Sequence, residues 1–303
     1  MKTAIVTCVS ESWLAPACVT LLSVAQNLNG LAADFHIVAD QLSAQSRQEV
    51  NAFSQKHKIK INMKAYATQG FSSIEARRYS SATFLRLCLP QIVPRTYERL
   101  LYLDSDVLAL GDLSPLLTFD LGNKILGAVP EIKMAPGRGV MTDNHRRTIG
   151  IANSADYFNA GVLLFDWKKT CIDHWLEKAG ALLLSGKRFQ HLDQDALNLT
   201  FANHWQPLPL KYNVEQSAAG YLGVKPILRH FNHAAKPWDW PQFLGYGPHH
   251  DFYINALSGL ALARFLKQKK RGNPVQANLE YYFRKASLHQ HIFLRRRYAE
   301  LLN

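Results

Sequence analysis

The chain has 303 residues, of which 48% are hydrophobic and 11% aromatic. This composition supports a complete hydrophobic core, excludes a globally disordered chain, and suffices for one large α/β domain or two small ones. The formal net charge of +12 favours an anionic partner, such as a nucleotide-bearing substrate, a nucleic acid or an acidic membrane surface.

Strand and helix patterns alternate in the first part of the chain. The predicted elements, in order, are a strand over Thr3–Val9, a helix over Ala15–Leu28, a strand over Asp34–Ala39, a helix over Ser43–Lys58 and a strand over Lys60–Tyr66. Strands that alternate with helices in this way imply a parallel sheet with right-handed crossovers.

Further elements follow along the rest of the chain. Up to the middle of the chain they are a helix over Ser80–Leu89 stopped by Pro90, a strand over Arg99–Leu103, a short turn and helix over Asp112–Leu117, a strand over Lys124–Pro130 and a loop or lid over Glu131–Ala155. Next come a strand over Tyr157–Asp166, one long helix over Trp167–Ser185 and a helix over His191–Phe201. The last are short strands over Leu208–Tyr212 and Pro226–Phe231, a loop over Asn232–Asp251, and basic helices from Phe252 onward.

The usual signs of secretion and membrane insertion are missing from the sequence. The apolar run of the N-terminal MKTAIVTCVS is shorter than a signal peptide needs, and no stretch reaches the roughly 18 apolar residues of a spanning helix. The four cysteines form no C-x-x-C pair, which favours reduced thiols: Cys8, Cys18, Cys88 and Cys171. We therefore expect a cytosolic protein that is soluble or peripheral to a membrane.

Two carboxylates stand where the strand Arg99–Leu103 ends. Asp104 and Asp106 are one residue apart, so along an extended strand they point to the same side. Two such acids at a strand end are costly unless a cation lies between them, and hard divalent ions prefer carboxylate oxygens. The pattern predicts a metal site, although a capping turn with solvated acids is an equal alternative from these residues alone.

Three other short segments carry side chains suited to such a site. His230 ends a late strand, where a neutral imidazole can complete a carboxylate metal site, and Lys236 lies close enough in sequence to neutralise phosphate. Asp193 and Asp195 begin a helix, where acids suit the helix dipole but can also orient sugar hydroxyls. Gly161 lets backbone approach a ligand closely, or marks a strand bulge.

In that order, the segments YLDSDVL, YFNAGVLLFD, DQDALN and HFNHAAKPW resemble glycosyltransferase family 8, most closely bacterial lipopolysaccharide galactosyl- and glucosyltransferases. The resemblance covers roughly residues 1–238. It implies a GT-A fold, which is an α/β fold with a mixed, mostly parallel sheet flanked by helices. We expect a catalytic domain over 1–251, with nucleotide-sugar binding over roughly 1–110 and the acceptor side over roughly 111–251, followed by a basic helical extension over 252–303.

The resemblance also assigns roles by position. It implies a retaining transfer of galactose or glucose from a UDP-sugar to a saccharide acceptor, either free or lipid-linked, with Mn²⁺ as the cofactor and Mg²⁺ as the alternative. The implied metal ligands are Asp104, Asp106 and His230, and the implied catalytic pair is Asp193 and Gln194. The implied donor contacts are Ser10, Arg86, Asp104, Ser105, Asn159, Ala160, His233 and Lys236.

The sequence departs from the family pattern in two places. An Asp and an Asn usually read the base just after the first strand, and here that turn contains Ser10, Glu11 and Ser12, of which Ser10 or Glu11 can substitute. The family's H-x-x-G-x-x-K-P-W motif has His233 at its glycine position. Both changes bear on the donor and on the rate, so a catalytically weak nucleotide-sugar-binding protein is the alternative function.

The C-terminal end is strongly basic. From Arg264 onward it has ten basic side chains against two acidic ones, a net of +8, interleaved with aromatic residues. This pattern suits an anionic membrane surface, although a solvated helical end packed on the core is also consistent with it. We expect a peripheral protein on the inner face of the cytoplasmic membrane. Nucleic acid is not expected as a partner, because no recognition motif accompanies the charge.

Overall fold

The structure is a computed structural model that describes residues 1–71, 74, 81–131, 143–151, 157–215, 224–232, 236–239, 247–267 and 299–302. Four sequence predictions fall wholly or partly on other residues: the role of His233, most of the predicted lid, half of the predicted loop Asn232–Asp251, and most of the basic C-terminal end. They lie outside the described residues.

Ten strands are found among the described residues. They are β1 (Thr3–Val9), β2 (Asp34–Ala39), β3 (Ile61–Ala65), β4 (Arg99–Leu103), β5 (Val107–Ala109), β6 (Leu126–Pro130), β7 (Phe158–Asp166), β8 (Trp205–Pro207), β9 (Val214–Glu215) and β10 (Leu228–His230).

The α-helices lie between these strands. They are α1 (Leu14–Ala25), α2 (Ala44–His57), α3 (Leu89–Ile92), α4 (Ser114–Leu117), α5 (Asp143–Ile149), α6 (Trp167–Ile172), α7 (Trp175–Leu184), α8 (Leu192–Thr200) and α9 (Gly247–Leu257). Single 3₁₀ turns or short 3₁₀ helices add Glu11–Trp13, Gln69–Phe71, Ser81–Cys88, Leu210–Tyr212, Ala261–Lys267 and Ala299–Leu301.

A seven-stranded sheet in the order β3-β2-β1-β4-β7-β6-β8 forms the centre of the fold. Neighbouring strands pair in parallel except for β7, which is antiparallel to both β4 and β6. Six strands therefore end at one edge of the sheet, and β7 begins there. This confirms the α/β class and the mixed, mostly parallel sheet that the sequence predicted. One apolar cluster packs on each face of the sheet.

The predicted elements of the first part of the chain are confirmed within a few residues. Helix α2 shows why: the Ser43 hydroxyl accepts a hydrogen bond from the Ser46 amide at 3.1 Å, and Lys58 closes the helix in the left-handed conformation at φ +55°. Local capping signals of this kind are legible in the sequence.

Three predictions are wrong in detail. The helix over Ser81–Cys88 is a 3₁₀ helix rather than an α-helix, and Pro90 does not stop it. Pro90 instead lies in the first turn of α3, where the backbone amide has no helical hydrogen bond to lose. The long helix Trp167–Ser185 is two helices, separated at His174, which adopts φ +56°.

The predicted strand Leu208–Tyr212 is also wrong. The strand is β8, which ends at Pro207, and Leu210–Tyr212 is a 3₁₀ turn. Closely spaced prolines at 207 and 209 remove amide donors, so the chain leaves the sheet there.

A smaller sheet, in the order β5-β10-β9, lies beyond the end of β4. Strand β10 is antiparallel to β5, with His230 opposite Val107. This pairing brings a residue late in the chain beside the Asp104–Asp106 turn, and it sets up the site described next.

Candidate active site

The Asp104–Asp106 turn lies at the edge of the sheet where β4 ends and β7 begins. The Asp104 amide donates to the Gly161 carbonyl at 2.9 Å, which joins the two strands at that point. The Thr20 hydroxyl lies 2.9 Å from the Ser105 carbonyl and 2.8 Å from the Val107 carbonyl. The backbone of the turn is therefore held without the side chains of Asp104 and Asp106.

Asp104, Asp106 and His230 converge, with one potential ligand atom of each lying within 4.8 Å of the others. His230 Nε2 is 3.3 Å from Asp106 Oδ1 and 3.8 Å from Asp104 Oδ2. Two carboxylates and one imidazole form a donor set suited to Mn²⁺ or another divalent ion. The residues present thus fit the divalent metal that the sequence predicted.

Electrostatic interactions within this group keep Asp106 ionised. Burial alone would raise its pKa, but Lys236 and then His230 outweigh burial and hold the pKa well below its usual range. Burial alone would likewise lower the pKa of His230, whereas Asp106 raises it. An ionised carboxylate beside the imidazole is the charge state that attracts a cation.

A chain of amides fixes the ring of His230. Asn213 Nδ2 donates to Asn159 Oδ1 at 2.9 Å, which leaves Asn213 Oδ1 to accept from His230 Nδ1 at 3.0 Å. His230 therefore donates from Nδ1 and turns Nε2 towards the two aspartates. Sequence reasoning missed Asn213, because nothing near it in the chain indicates a site.

Gly161 makes room for this ring. A Cβ atom at position 161 would lie 2.3 Å from His230 Cε1 and 2.8 Å from His230 Nδ1. The sequence related Gly161 to close approach of a ligand, and in the structure the group that approaches it closely is the His230 ring.

Lys236 lies on the other side of Asp106. Its Nζ donates to Asp106 Oδ2 at 2.7 Å and also to the Phe231 carbonyl. The lysine is only 8% exposed, so its charge is directed into the site rather than into solvent. A cation at this position can neutralise an anionic ligand bound at the metal site.

Arg86 joins the predicted metal site to the predicted catalytic pair. Its Nη2 donates to Asp104 Oδ1 at 3.0 Å, its Nε lies 3.0 Å from Asp193 Oδ2, and its Nη1 donates to the Ala160 carbonyl at 2.7 Å. The Tyr102 hydroxyl also donates to Asp104 Oδ1, at 2.7 Å. Arg86 therefore fixes two carboxylates at the floor of the site, and its predicted contact with the donor sugar stays a prediction.

Asp193 and Gln194 project from the first turn of α8 beside the start of β7. Burial raises the pKa of Asp193 to about 6, against the opposing charge of Arg86. Gln194 Oε1 accepts from the Ala160 amide at 2.9 Å. A carboxylate and an amide are thereby held next to each other beside the start of β7.

Glu131, at the end of β6, is a site residue that the sequence analysis did not single out. It is buried and accepts from Asn159 Nδ2 at 3.0 Å. Burial, reinforced by the nearby Glu215, raises its pKa to about 8, so Glu131 is protonated at neutral pH. Its place directly after a buried strand, as with Asp104 after β4, is the signal that could have identified it.

The turn after β1 lies beside a cavity of about 590 Å³ at the carboxyl ends of β1 and β2. The hydroxyls of Ser10 and Ser12 lie 3.0 Å apart and are exposed. Glu11 accepts from the Ser43 amide at 2.6 Å, and this contact lowers its pKa. Both candidates for base reading, Ser10 and Glu11, line this cavity.

Comparison with known proteins gives a consistent result. The family model described as Glycosyl transferase family 8 matches residues 4–240. The chain is 26% identical to the lipopolysaccharide 1,2-glucosyltransferase of Escherichia coli K12 over 76% of this chain and 71% of that protein. It is 23% identical to the lipopolysaccharide 1,3-galactosyltransferase of Salmonella typhimurium over 67% of this chain and 63% of that protein.

Among solved structures, the chain is similar to the galactosyltransferase LgtC in complex with donor and acceptor sugar analogues. The TM-score is 0.73 at 25% sequence identity, and the match covers 87% of this chain and 99% of LgtC. This similarity confirms the GT-A fold expected from the sequence.

Proposed function

This chain belongs to glycosyl transferase family 8, and from that premise we propose that it moves galactose or glucose from a UDP-sugar to a saccharide acceptor with retention of configuration. The observation that carries the proposal is the convergence of Asp104, Asp106 and His230 between Lys236 on one side and Arg86 with Asp193 on the other. This arrangement provides a cationic diphosphate subsite next to an anionic floor for the sugar.

Asp104, Asp106 and His230 would hold the divalent ion, for which Mn²⁺ is the first candidate and Mg²⁺ the second. When bound, such an ion supplies charge stabilisation for the diphosphate leaving group. Lys236 supplies further positive charge from the protein at the same place. Arg86 keeps Asp104 oriented towards the site, since its guanidinium and the Tyr102 hydroxyl both bind the same carboxylate oxygen.

The residues under the sugar favour a front-face transfer. Gln194 is a weak nucleophile, and the carboxylate of Asp193 is paired with Arg86. Both can stabilise positive charge that develops at the anomeric carbon as the bond to the diphosphate breaks. The acceptor hydroxyl then bonds to that carbon on the face the diphosphate leaves, and its proton passes to the departing phosphate oxygen.

The names of similar proteins suggest the acceptor class. Two of them are lipopolysaccharide glycosyltransferases, so we propose a saccharide acceptor of cell-surface glycan synthesis, attached to a lipid carrier or core. Among the described residues, no helix combines the length and apolarity that crossing a membrane requires. The basic C-terminal end supports attachment to the inner face of the cytoplasmic membrane through anionic lipids.

The test is hydrolysis of, and transfer from, UDP-galactose and UDP-glucose, measured as UDP release with and without Mn²⁺. The Asp104→Asn variant should lower the rate by about 100-fold or more, because it weakens the metal site where leaving-group charge is stabilised. Asp173→Asn is the matched control, since Asp173 is an exposed acid at the α6–α7 break, and it should keep the wild-type rate.

Two results would contradict the proposal. Equal rates in wild type and Asp104→Asn would remove the metal site from the mechanism. Binding of UDP-sugars that stabilises the protein against heat, without any UDP release, would instead identify a nucleotide-sugar-binding protein.

A further inference from the structure

Asp195 is a fully buried carboxylate that the proposed mechanism does not use. Its Oδ1 accepts from the Tyr157 hydroxyl at 2.6 Å and from His145 Nε2 at 2.9 Å. Its Oδ2 accepts from the amides of Gln190 and His191 at 3.0 and 2.9 Å. With an exposed fraction of 0% and four donors around it, this side chain has no face left for a substrate.

The amides that Asp195 binds belong to a strained turn. Leu192 adopts φ +38°, in the left-handed region that side chains other than glycine rarely occupy, and no side chain caps α8 at His191. Backbone strain of this kind persists only when its surroundings hold it. The carboxylate of Asp195, from within the helix, binds the two amides that precede Leu192 and so holds this turn from one side.

The strained turn leads directly into the reactive side chains. Asp193 follows Leu192 and reaches Arg86, while Gln194 binds the Ala160 amide. A change in the backbone at Leu192 would rotate both side chains together. Acids are common in the first turn of a helix because they interact favourably with the helix dipole. That interaction requires neither the burial of Asp195 nor its four specific donors.

Asp195 also reaches a second element. His145 lies on α5, the helix that follows the 132–142 segment between β6 and β7, and α5 is bound again where Lys187 Nζ donates to the Ile149 carbonyl at 2.6 Å. One carboxylate thus contacts both the turn before α8 and α5. We propose that Asp195 is a positioning residue that fixes the Leu192 turn for catalysis and ties it to α5.

The substitution Asp195→Asn tests this proposal. An asparagine has one acceptor oxygen, so it cannot serve the two amides and also the pair formed by Tyr157 and His145. We expect kcat for UDP-sugar hydrolysis to fall about 10- to 100-fold, as is usual for supporting hydrogen-bond partners, while KM for the donor changes less than about threefold.

A double-mutant cycle separates positioning from general destabilisation. If Asp195 acts through Gln194, then Asp195→Asn should add little to the loss already caused by Gln194→Ala, so the two effects should not multiply. Asp166→Asn is the matched control, because Asp166 accepts a helix-capping hydrogen bond from the Lys169 amide at 3.2 Å at the opposite end of β7. It should leave kcat unchanged.

Hydrogen exchange gives a readout that does not depend on activity. In Asp195→Asn, amides of residues 186–192 and 143–151 should exchange at least about tenfold faster, while β1 and β4 keep their protection. The kinetic arm rests on the proposed function, and absence of any UDP-sugar hydrolysis in the wild type would contradict that function alone. Unchanged exchange at both segments, faster exchange spread evenly over the chain, or multiplicative kinetic losses would overturn the role of Asp195.

Discussion

At the level of single residues, the site depends on a few close contacts that fix charged groups. Asp104 is bound by Arg86 and Tyr102, and His230 is bound by Asn213. The residue types of the candidate metal site were predictable from the family motifs, because the two carboxylates at a strand end fitted a solvated capping turn equally well by themselves. Asn213 and Glu131 were not, because their importance arises from distant partners that only the fold brings together.

Gly161 allows a sharp test of the metal site. In Gly161→Ala the new Cβ would overlap the His230 ring, since it would lie only 2.3 Å from Cε1 of a ring that Asn213 holds in place. We expect the affinity for Mn²⁺ to fall about 10- to 100-fold, measured by calorimetric titration.

The control for this change is Gly111→Ala. A Cβ atom there would meet Ile227 Cγ1 at 3.6 Å, an ordinary van der Waals contact. Its Mn²⁺ affinity should match the wild type. An alanine at position 161 that left Mn²⁺ affinity intact would show that His230 is not a ligand.

Glu131 predicts how stability depends on pH. Burial raises its pKa from 4.5 to about 8 in the folded chain, so between these values the folded state binds a proton that the unfolded state has lost. Stability therefore falls as pH rises through this window. Glu131→Gln mimics the protonated acid and should remove this contribution.

The measurement is the thermal unfolding midpoint at pH 5 and pH 9. The Glu131→Gln variant and the wild type should lie close together at pH 5, and the variant should melt several °C higher at pH 9, because raising the pKa from 4.5 to about 8 corresponds to several kcal/mol. A difference between the two proteins that is the same at both pH values would show that Glu131 does not titrate in this window.

At the level of elements, sequence patterns predicted the parts of the chain where local signals agree. Helix α2 has a serine cap at its start and a left-handed residue at its end, and both boundaries were found within one residue. The break at His174 was missed because no glycine or proline marks it. The 3₁₀ geometry of Ser81–Cys88 was missed because 3₁₀ and α-helices share an apolar spacing over short runs.

The smaller sheet shows the limit of local reasoning more clearly. Strands β5 and β9 have three and two residues, too short for any periodicity to be visible. They form because β10 lies beyond the end of β4 and pairs with both of them. This long-range pairing places His230 beside Asp106, so the metal site could be suggested by the sequence but only the fold brings its ligands together.

At the level of the whole molecule, the chain separates a structural C-terminal segment from its basic end. Helix α9 and the following Ala261–Lys267 turn bury Tyr253, Leu257, Leu262 and Phe265 against the core. Arg264 pairs with Glu49 of α2, and Lys56 donates to the Ser258 carbonyl at 2.6 Å. Helix α9 spans position 251, so its packing joins both sides of that position to the core.

The residues after Lys267 are strongly basic. Residues 268–303 contain eight basic and two acidic side chains, half of the net charge of the chain. Basic side chains near an anionic surface each contribute about 1 kcal/mol of attraction, and aromatic residues between them add apolar contact. The basic end can thus bind an anionic membrane surface, while the folded core contains the candidate active site.

Truncation after Lys267 separates these two roles. The shortened chain keeps α9 and its buried contacts, so it should unfold cooperatively and retain UDP-sugar hydrolysis, but its affinity for vesicles containing anionic lipid should fall more than about tenfold. Truncation after Tyr246 should instead give an insoluble chain, because the four apolar side chains of α9 and its following turn would no longer cover the core.

Cosedimentation with anionic and with neutral vesicles measures the loss of membrane affinity in the Lys267 truncation. Neither the full-length protein nor this truncation should bind neutral vesicles. Full-length protein that ignores anionic vesicles, or a Lys267 truncation that binds them as tightly as the full chain, would contradict the assignment of the basic end to the membrane.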